Sequence, residues 1–371
     1  MQALPLPLPA HVYAVILAGG SGTRFWPKSR HLLPKQLCKI GDSEKSMLEL
    51  TLNRLDGLIP PERRLIVTHR DQMQKTRAIA GANCHHFLAE PSARNTAPAL
   101  ALAALEIRAL APSDRPPLMI SLHADALIKD LGAFHRALRL MTESADDRYL
   151  TLLGVTPTYP ETGYGYIEKG QPTAPGKACL RVQSFREKPD RPLALQYLET
   201  GRFLWNSGIF AWRVDVILEE LERFLPAVVA ALAPLFQEAG VSSLSAVPED
   251  LLARVYSSLP QIAIDPAILE RSQRVVVLEA DIGWKDVGSW DALDSCFPTD
   301  ADGNIFFGSV QAIDCTGITV DSDAQVVACI GLQDLVVVSS GGAILVCRKD
   351  RSQDVKKIVE ALKAQGRNQL I

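Results

Sequence analysis

The sequence predicts an α/β protein. A mixed, mostly parallel sheet carries helices on its faces, and a small C-terminal all-β unit of β-helix-like character follows. Three observations lead there. Short apolar runs alternate with helical patterns through residue 155, and such alternation builds βαβ units. The run VYAVILA at 12–18 is continuously apolar, as expected of a strand covered on both faces of a parallel sheet. From about residue 300 the texture changes to NIFFGSV, QAIDC, GITV, AQVVACI, DLVVVSS and GAILVC, split by Gly, Asp and Ser. That spacing suits a few coils of a solenoid. The expected domains are 1–299 and 300–371, the second ending in a helix.

The elements follow in order. After the strand at 12–18 come a helix over 46–58, a strand RLIVT at 64–68 and a helix over 71–80. HFLA at 86–89 is the third strand, and the Ala/Leu-rich stretch 97–110 is strongly helical. LMISL at 118–122, a helix over 132–144 and YLTLLGV at 149–155 complete the first part. The region 156–299 mixes strands near 164–168, 181–186, 208–212 and 274–279 with helices near 190–199, 214–224, 226–238 and 248–257. A capping helix is expected over 350–365, and the proline-rich start, MQALPLPLPAH, reads as a short extended arm.

Composition excludes several classes. The 371 residues carry a net charge of −3, without the basic excess of a general nucleic-acid binder. Apolar residues at 47% supply a large core. No apolar run reaches membrane-spanning length; the best, 225–236, holds Pro226 and Pro234. The start lacks the positive segment of a secretion signal, so a cytoplasmic protein with no membrane partner is expected. Seven scattered Cys without a CxxC pair read as free thiols. Cys84-His85-His86 is not read as a metal site, because adjacent strand residues face opposite ways.

Ligands of an open α/β sheet sit beyond the carboxyl ends of its strands, and the richest motif lies there. LAGGSGTRFWPKSRHLLPKQ runs from Leu17 to Gln36, directly after the first strand. Gly19, Gly20 and Gly22 allow close backbone approach and converging N–H groups, while Arg24 and Lys35 add positive charge. The run is neither a GxxxxGK[ST] loop nor a GxGxxG fingerprint. Together these features fit a phosphate-bearing ligand. Lys28 and Arg30 fit a solvated loop face equally well.

This run closely resembles the signature of sugar-nucleotide pyrophosphorylases, specifically the mannose-1-phosphate guanylyltransferases. EPSARNTAPALALAAL at 90–105, GYGYIEKG at 163–170, FREKPD at 185–190 with WNSGIF at 205–210, and DIGWKDVGSWDAL at 281–293 extend the likeness over nearly the whole chain. The resemblance implies a Rossmann-like, GT-A-like nucleotidyltransferase domain. It implies transfer of a guanylyl group from GTP to mannose 1-phosphate, giving GDP-mannose and diphosphate with Mg²⁺, for polysaccharide and glycoconjugate synthesis. Such a transfer needs in-line positioning and charge neutralisation rather than a general base.

By the same resemblance Arg24 and Lys35 are catalytic. Leu17, Ala18, Gly19, Gly20, Gly22, Thr23, Glu90, Arg94, Asn95 and Thr96 bind nucleotide; guanine offers donors at N1 and N2, so an acceptor is needed to select it, and Glu90 or a neighbouring backbone carbonyl is expected in that place. Gly163, Glu187, Lys188 and Asn206 bind the sugar phosphate, and Asp125 and Asp286 the metal, with Asp281 a rival for the second place. Tyr164, Tyr166, Trp205 and Trp212 read as packing residues. Three departures stand out. Leu122-His123-Ala124-Asp125-Ala126 lacks the His that usually follows the aspartate, and His123, two residues upstream, is not expected to replace it. Arg186 stands at a usually apolar place, and SSGGAILV at 339–346 alters a C-terminal pattern. Longer relatives carry a fused isomerase domain, and none is expected here. A guanylyltransferase for another sugar 1-phosphate and a catalytically weak nucleotide-sugar sensor remain the alternatives. The apolar C-terminal strands suggest a homodimer.

Overall fold

The computed structural model describes residues 6–20, 22–41, 43–112 and 114–371. The first five residues of the expected arm lie outside them; beyond, Leu8 N donates to Leu58 O at 2.9 Å.

Eleven strands build the first part: β1 (Val12–Leu17), β2 (Arg64–His69), β3 (His86–Glu90), β4 (Leu118–His123), β5 (Ala126–Ile128), β6 (Leu150–Val155), β7 (Gly165–Pro172), β8 (Cys179–Glu187), β9 (Phe203–Arg213), β10 (Val275–Glu279) and β11 (Trp284–Asp286). Nine of these strands form one sheet in the order β3-β2-β1-β4-β9-β6-β10-β8-β7. Pairing among β1 to β4, and of β6 with β10, is parallel, whereas β8 and β9 run against their neighbours. All six residues of β1 are buried, which explains its unbroken apolar run. Helix Thr96–Leu110 is buried without interruption from Ala97 to Ile107; small alanines let it lie close on the sheet.

The sequence reading misses β5 and β11, three residues each and too short for periodicity. They pair with each other apart from the main sheet, with Asp286 opposite Ala126. Helix 46–58 is shorter than expected, at Met47–Asn53. It opens with a capping box in which Ser46 accepts from Glu49 N and Glu49 accepts from Ser46 N. The single helix expected over 226–238 is two, Pro226–Leu232 and Leu235–Ala239, since Pro234 cannot donate within a helix. Strand β9 begins at Phe203 rather than 208.

From Ile305 the chain coils. Strands β12 (Ile305–Phe307), β14 (Thr319–Ser322) and β16 (Leu335–Ser340) stack in parallel, and β13 (Val310–Ile313) pairs in parallel with β15 (Val327–Ile330). Antiparallel β17 (Ala343–Arg348) closes the stack, followed by a 3₁₀ turn at Lys349–Asp354 and helix Val355–Ala364. Side chains of this unit and of the glycine-rich loop share a core containing Phe25, Trp26, Trp290, Val336 and Val338. All seven cysteines are unpaired. Among the described residues no helix is long and apolar enough to cross a membrane. The same residues hold no group of three or more metal-ligating His, Cys, Asp or Glu side chains, Cys84-His85-His86 included.

Candidate active site

The ends of four parallel strands meet at one edge. Leu17 lies beside Val67 and His123 in the ladders, and Glu90 beside His69. Beyond Leu17 the backbone continues along β2, with Ala18 N donating to Val67 O at 2.8 Å. Leu17, Ala18, Gly19, Gly20, Glu90, Arg94, Asn95, Thr96 and Asp125 line one cavity of about 230 Å³ there, together with Gln36 and His123. A second cavity of about 320 Å³ is lined by Asp125, Gly163, Glu187, Lys188, Asn206 and Asp286, with Tyr164, Asp265 and Trp284. The two share Asn95, Thr96, His123 and Asp125, so they are neighbouring chambers of one cleft.

Lys35 is the electrostatic centre. It is only 4% exposed, and its ammonium lies 3.0 Å from Asp125 Oδ2 and 3.7 Å from Asp286 Oδ1. The short β5/β11 ladder makes this possible, because it sets Asp286 beside the residue after Asp125. Asp125 lies deep among protein atoms while 43% of its side chain opens to the cleft. Burial resists its ionisation, but Lys35 and His123 outweigh that and hold the carboxyl below its ordinary range. Asp286 is pushed up, first by burial and then by Asp125, against the pull of Lys35 and Arg24. Asp281 lines neither chamber and accepts from Gly283 N, so Asp286 is the aspartate beside Asp125.

Gly22 makes room for this lysine. It sits at φ +56°, and a Cβ there would meet Lys35 Cβ at 2.4 Å and Lys35 N at 2.8 Å. Gly19 is similarly confined, by Glu90 Oε2 at 2.9 Å from an added Cβ. Two expected nucleotide residues fall elsewhere. The left-handed turn at Gly22 directs Thr23 into a separate cavity with Trp26, Arg30 and Val359, and Gly22 itself packs on Lys35 rather than lining the first chamber. Arg24 also lies outside both linings; its Nη1 donates to Gln353 Oε1 at 3.1 Å.

In the first chamber Glu90 is 8% exposed, and its Oε1 accepts from Tyr256 Oη at 2.7 Å. Burial raises its carboxyl to about 7, with the tyrosine pulling the other way. Arg94 donates to Ser257 O, leaving its buried Nε without a partner. Asn95, at φ 69°, caps helix Thr96–Leu110 by accepting from Thr96 N at 2.8 Å. Thr96 Oγ1 accepts from Ile264 N at 2.9 Å, so its hydroxyl serves the fold as well.

In the second chamber Asn206 donates from Nδ2 to Asp265 Oδ1 at 2.8 Å and accepts from Gly208 N at 3.2 Å. Asp265 is raised to about 7, by burial and then by the Glu187 charge. Glu187 lies 3.3 Å from Lys188 Nζ, and Gly163 N donates to Glu161 Oε1 at 2.7 Å. Trp205, Trp212 and Tyr166 are buried packing residues. Tyr164 lines the chamber and meets Trp205 and Trp284 edge-on.

Comparison with known proteins identifies the family to which this chain belongs. The nucleotidyl transferase family matches residues 13–303, and the MannoseP isomerase/GMP-like β-helix domain matches residues 308–362. This chain belongs to the nucleotidyl transferase family. Among curated relatives, mannose-1-phosphate guanylyltransferases of Klebsiella pneumoniae and of Escherichia coli strain K12 are 39% and 37% identical, each over 96% of this chain and 74% and 75% of theirs. A crystal structure described as a mannose-1-phosphate geranyltransferase from Thermus thermophilus superposes with a TM-score of 0.85 at 36% identity, covering 95% of this chain and 99% of that one. One described as a mannose-6-phosphate isomerase from Helicobacter pylori gives 0.60 at 28%, covering 74% and 99%.

A nucleotidyl transferase generally works with a divalent cation, and the residues present suit one. Two carboxylates already converge on the Lys35 ammonium, and carboxylates completed by phosphate and water oxygens suit a hard cation.

Sequence reasoning overlooks three cleft residues of this nucleotidyl transferase. Gln36 is buried and donates to Ala18 O at 2.6 Å and Gly20 O at 3.0 Å, shaping the loop; its place at the end of the glycine-rich motif was the available signal. Asp265 lies in a featureless DPAIL stretch and had none. His123, set aside in the sequence reading, stands in both chambers against Gly208, where an added Cβ would come 2.7 Å from its ring. Its place at the end of β4 was the signal. Lys28 and Arg30 are not a solvated face. Lys28 Nζ lies 2.6 Å from Asp321 and 3.4 Å from Asp323, and Arg30 donates to the carbonyls of Ser340, Gly341 and Leu370.

Proposed function

We propose that the protein is a mannose-1-phosphate guanylyltransferase: a phosphate oxygen of mannose 1-phosphate attacks the α-phosphorus of GTP, diphosphate leaves, and GDP-mannose forms. One observation carries this: two chambers share a floor that includes Asp125, and Asp125 is tied to Asp286 through a buried lysine. The nucleotide occupies the chamber at Gly19 and Gly20, where Glu90 meets the guanine N–H donors. Arg94, Asn95 and Thr96 face it from the helix end. Mannose 1-phosphate occupies the chamber of Gly163, Glu187, Lys188 and Asn206. The nucleophile is already ionised, so the chain supplies position and charge rather than a base. Lys35 and Arg24 stabilise the negative charge that grows on the leaving diphosphate. Asp125 and Asp286 would hold Mg²⁺, which neutralises phosphate charge when bound.

A division near residue 300 is supported by the start of a separate sheet at Ile305. Exposed Ile313, Ile330, Ile344 and Val346 on the C-terminal coils support a homodimer, and unpaired cysteines support the cytoplasm.

The test is Mg²⁺-dependent diphosphate release over a panel of nucleoside triphosphates and sugar 1-phosphates. Release highest with GTP and mannose 1-phosphate is expected; no release with any pair defeats the proposal. Ala126, where a His is usual, favours a second reading, a weak nucleotide-sugar sensor, and binding of GTP without release would select it.

A further inference from the structure

The C-terminal unit reaches the catalytic edge through one side chain. Gln353, in the 3₁₀ turn after β17, accepts from Arg24 Nη1 at 3.1 Å and donates from Nε2 to Ser289 Oγ at 2.8 Å. Ser289 in turn donates to Asp291, which also accepts from Ser352 of the same turn. Ser289 lies three residues beyond Asp286, and a Cβ on Gly288 would sit 3.6 Å from Arg24 Nη1 and 3.3 Å from Asp286 Oδ2. A primary amide accepts and donates at once, so this residue type can join a guanidinium on one loop to a hydroxyl on another.

We propose that Gln353 is a positioning residue for the transfer reaction. It holds the Arg24 guanidinium at the rim of the cleft, beside Asp286, so that the C-terminal unit completes the active site rather than merely decorating it. The proposal rests on the role given to Arg24 above. Docking of the unit does not depend on Gln353. Lys28 with Asp321 and Asp323, Lys349 with Asp294, and Trp26 Nε1 with Leu370 O all cross the same boundary. Among the described residues, the Arg24 side chain makes no other hydrogen bond.

The test compares Gln353→Ala, Gln353→Glu, Arg24→Ala, the Arg24→Ala/Gln353→Ala pair and Lys349→Met in the full chain, by steady-state diphosphate release from GTP and mannose 1-phosphate. Gln353→Ala should lower kcat about tenfold, the value of one hydrogen bond, leave KM for mannose 1-phosphate unchanged, and cost nothing further in the Arg24→Ala background. Gln353→Glu keeps the acceptor for Arg24 and should restore most of the rate. Lys349→Met should lower Tm and leave kcat within about twofold, since it removes only an interface ion pair. Normal kcat in Gln353→Ala with Arg24→Ala impaired removes Gln353 alone. Additive losses, or an equal loss in Lys349→Met, overturn the proposal in favour of simple docking. Normal turnover in Arg24→Ala removes the role of Arg24 itself, and Gln353 with it. If Gln353→Ala does not fold, Gln353→Met is read by the same criteria.

Discussion

Replacing Tyr256 with Phe isolates the electrostatics of the proposed guanine site. Tyr256 Oη donates to Glu90 Oε1 at 2.7 Å, and both residues are buried. Burial raises the Glu90 carboxyl to about 7, and the tyrosine restrains that rise by favouring the ionised form. Burial and the Glu90 charge both push the phenol up, so it remains a donor at every working pH. A hydrogen bond to a charged group contributes about 1.5–3 kcal/mol, and about 1.4 kcal/mol is one pH unit, so its loss moves Glu90 up by roughly one to two units. At pH 7.5 the ionised fraction then falls from about three quarters to about a quarter or less. An ionised carboxylate accepts from both guanine N–H groups and does so more strongly than the neutral acid, so kcat/KM for GTP should fall about threefold or more at pH 7.5 and recover as the pH rises toward 9. Initial rates against GTP from pH 6 to 9.5 measure this, with parallel thermal scans to confirm folding. A loss of the same size at every pH, or a profile matching the parent, would refute ionised Glu90 as the guanine acceptor.

Other expectations concern the remaining groups of the cleft. Lys35→Ala or Asp286→Ala should each lower turnover by about a hundredfold or more, as removal of a group that stabilises developing charge does, and a near-normal rate in either would displace it from the mechanism. Gly22→Ala places a Cβ 2.4 Å from that of Lys35 at φ +56°; a cost of about 1–2 kcal/mol for the left-handed residue and a fall in kcat are expected, read by denaturant melts and rates. His123→Ala should lower kcat about ten- to a hundredfold, with partial rescue by His123→Asn, if the ring donates to a phosphate where the chambers join; unchanged rates would return it to packing against Gly208. Asp265 has a folded pKa of about 7, raised by burial and Glu187. The native state therefore binds the extra proton between roughly pH 4 and 7, and stability drops as pH rises through that window. Asp265→Asn should remove about 1–2 kcal/mol of that drop, the cleft opening screening the rest, which Tm measured at pH 5, 6 and 7 will test.

What could be read from the chain alone was whatever its own local order enforces. β1 is apolar throughout because both its faces are covered, and helix Thr96–Leu110 is Ala/Leu-rich because it is buried along eleven consecutive residues; each announces its environment in its composition. The glycine loop was legible for a similar reason, since its turn at Gly22 and the close approach of Lys35 exclude any larger residue. The two aspartates proposed to hold the metal were reached through resemblance, and local pattern could not have paired them. The strands that bring Asp125 and Asp286 together are three residues long, and their partners lie far apart in the chain.

Residues recruited by distant elements left no such trace. Asp265 acquires a role only because β9 carries Asn206 to within 2.8 Å of it, and Gln353 only because the coils of the C-terminal unit return to the loop of Arg24. His123 is not expected to replace the histidine missing after Asp125, yet it lines the cleft. At the end of a strand one residue's step changes the face a side chain addresses, and β4 turns His123 toward the cleft shared by both chambers. His123 thus stands where the two chambers join, two residues before Asp125 in the chain, whereas Ala126 after it lines only the second of them. An enzyme that needs hydrogen-bond donors where two phosphates meet can keep one there without keeping its place in the motif, because the phosphates respond to where the donor stands and not to its position along the chain.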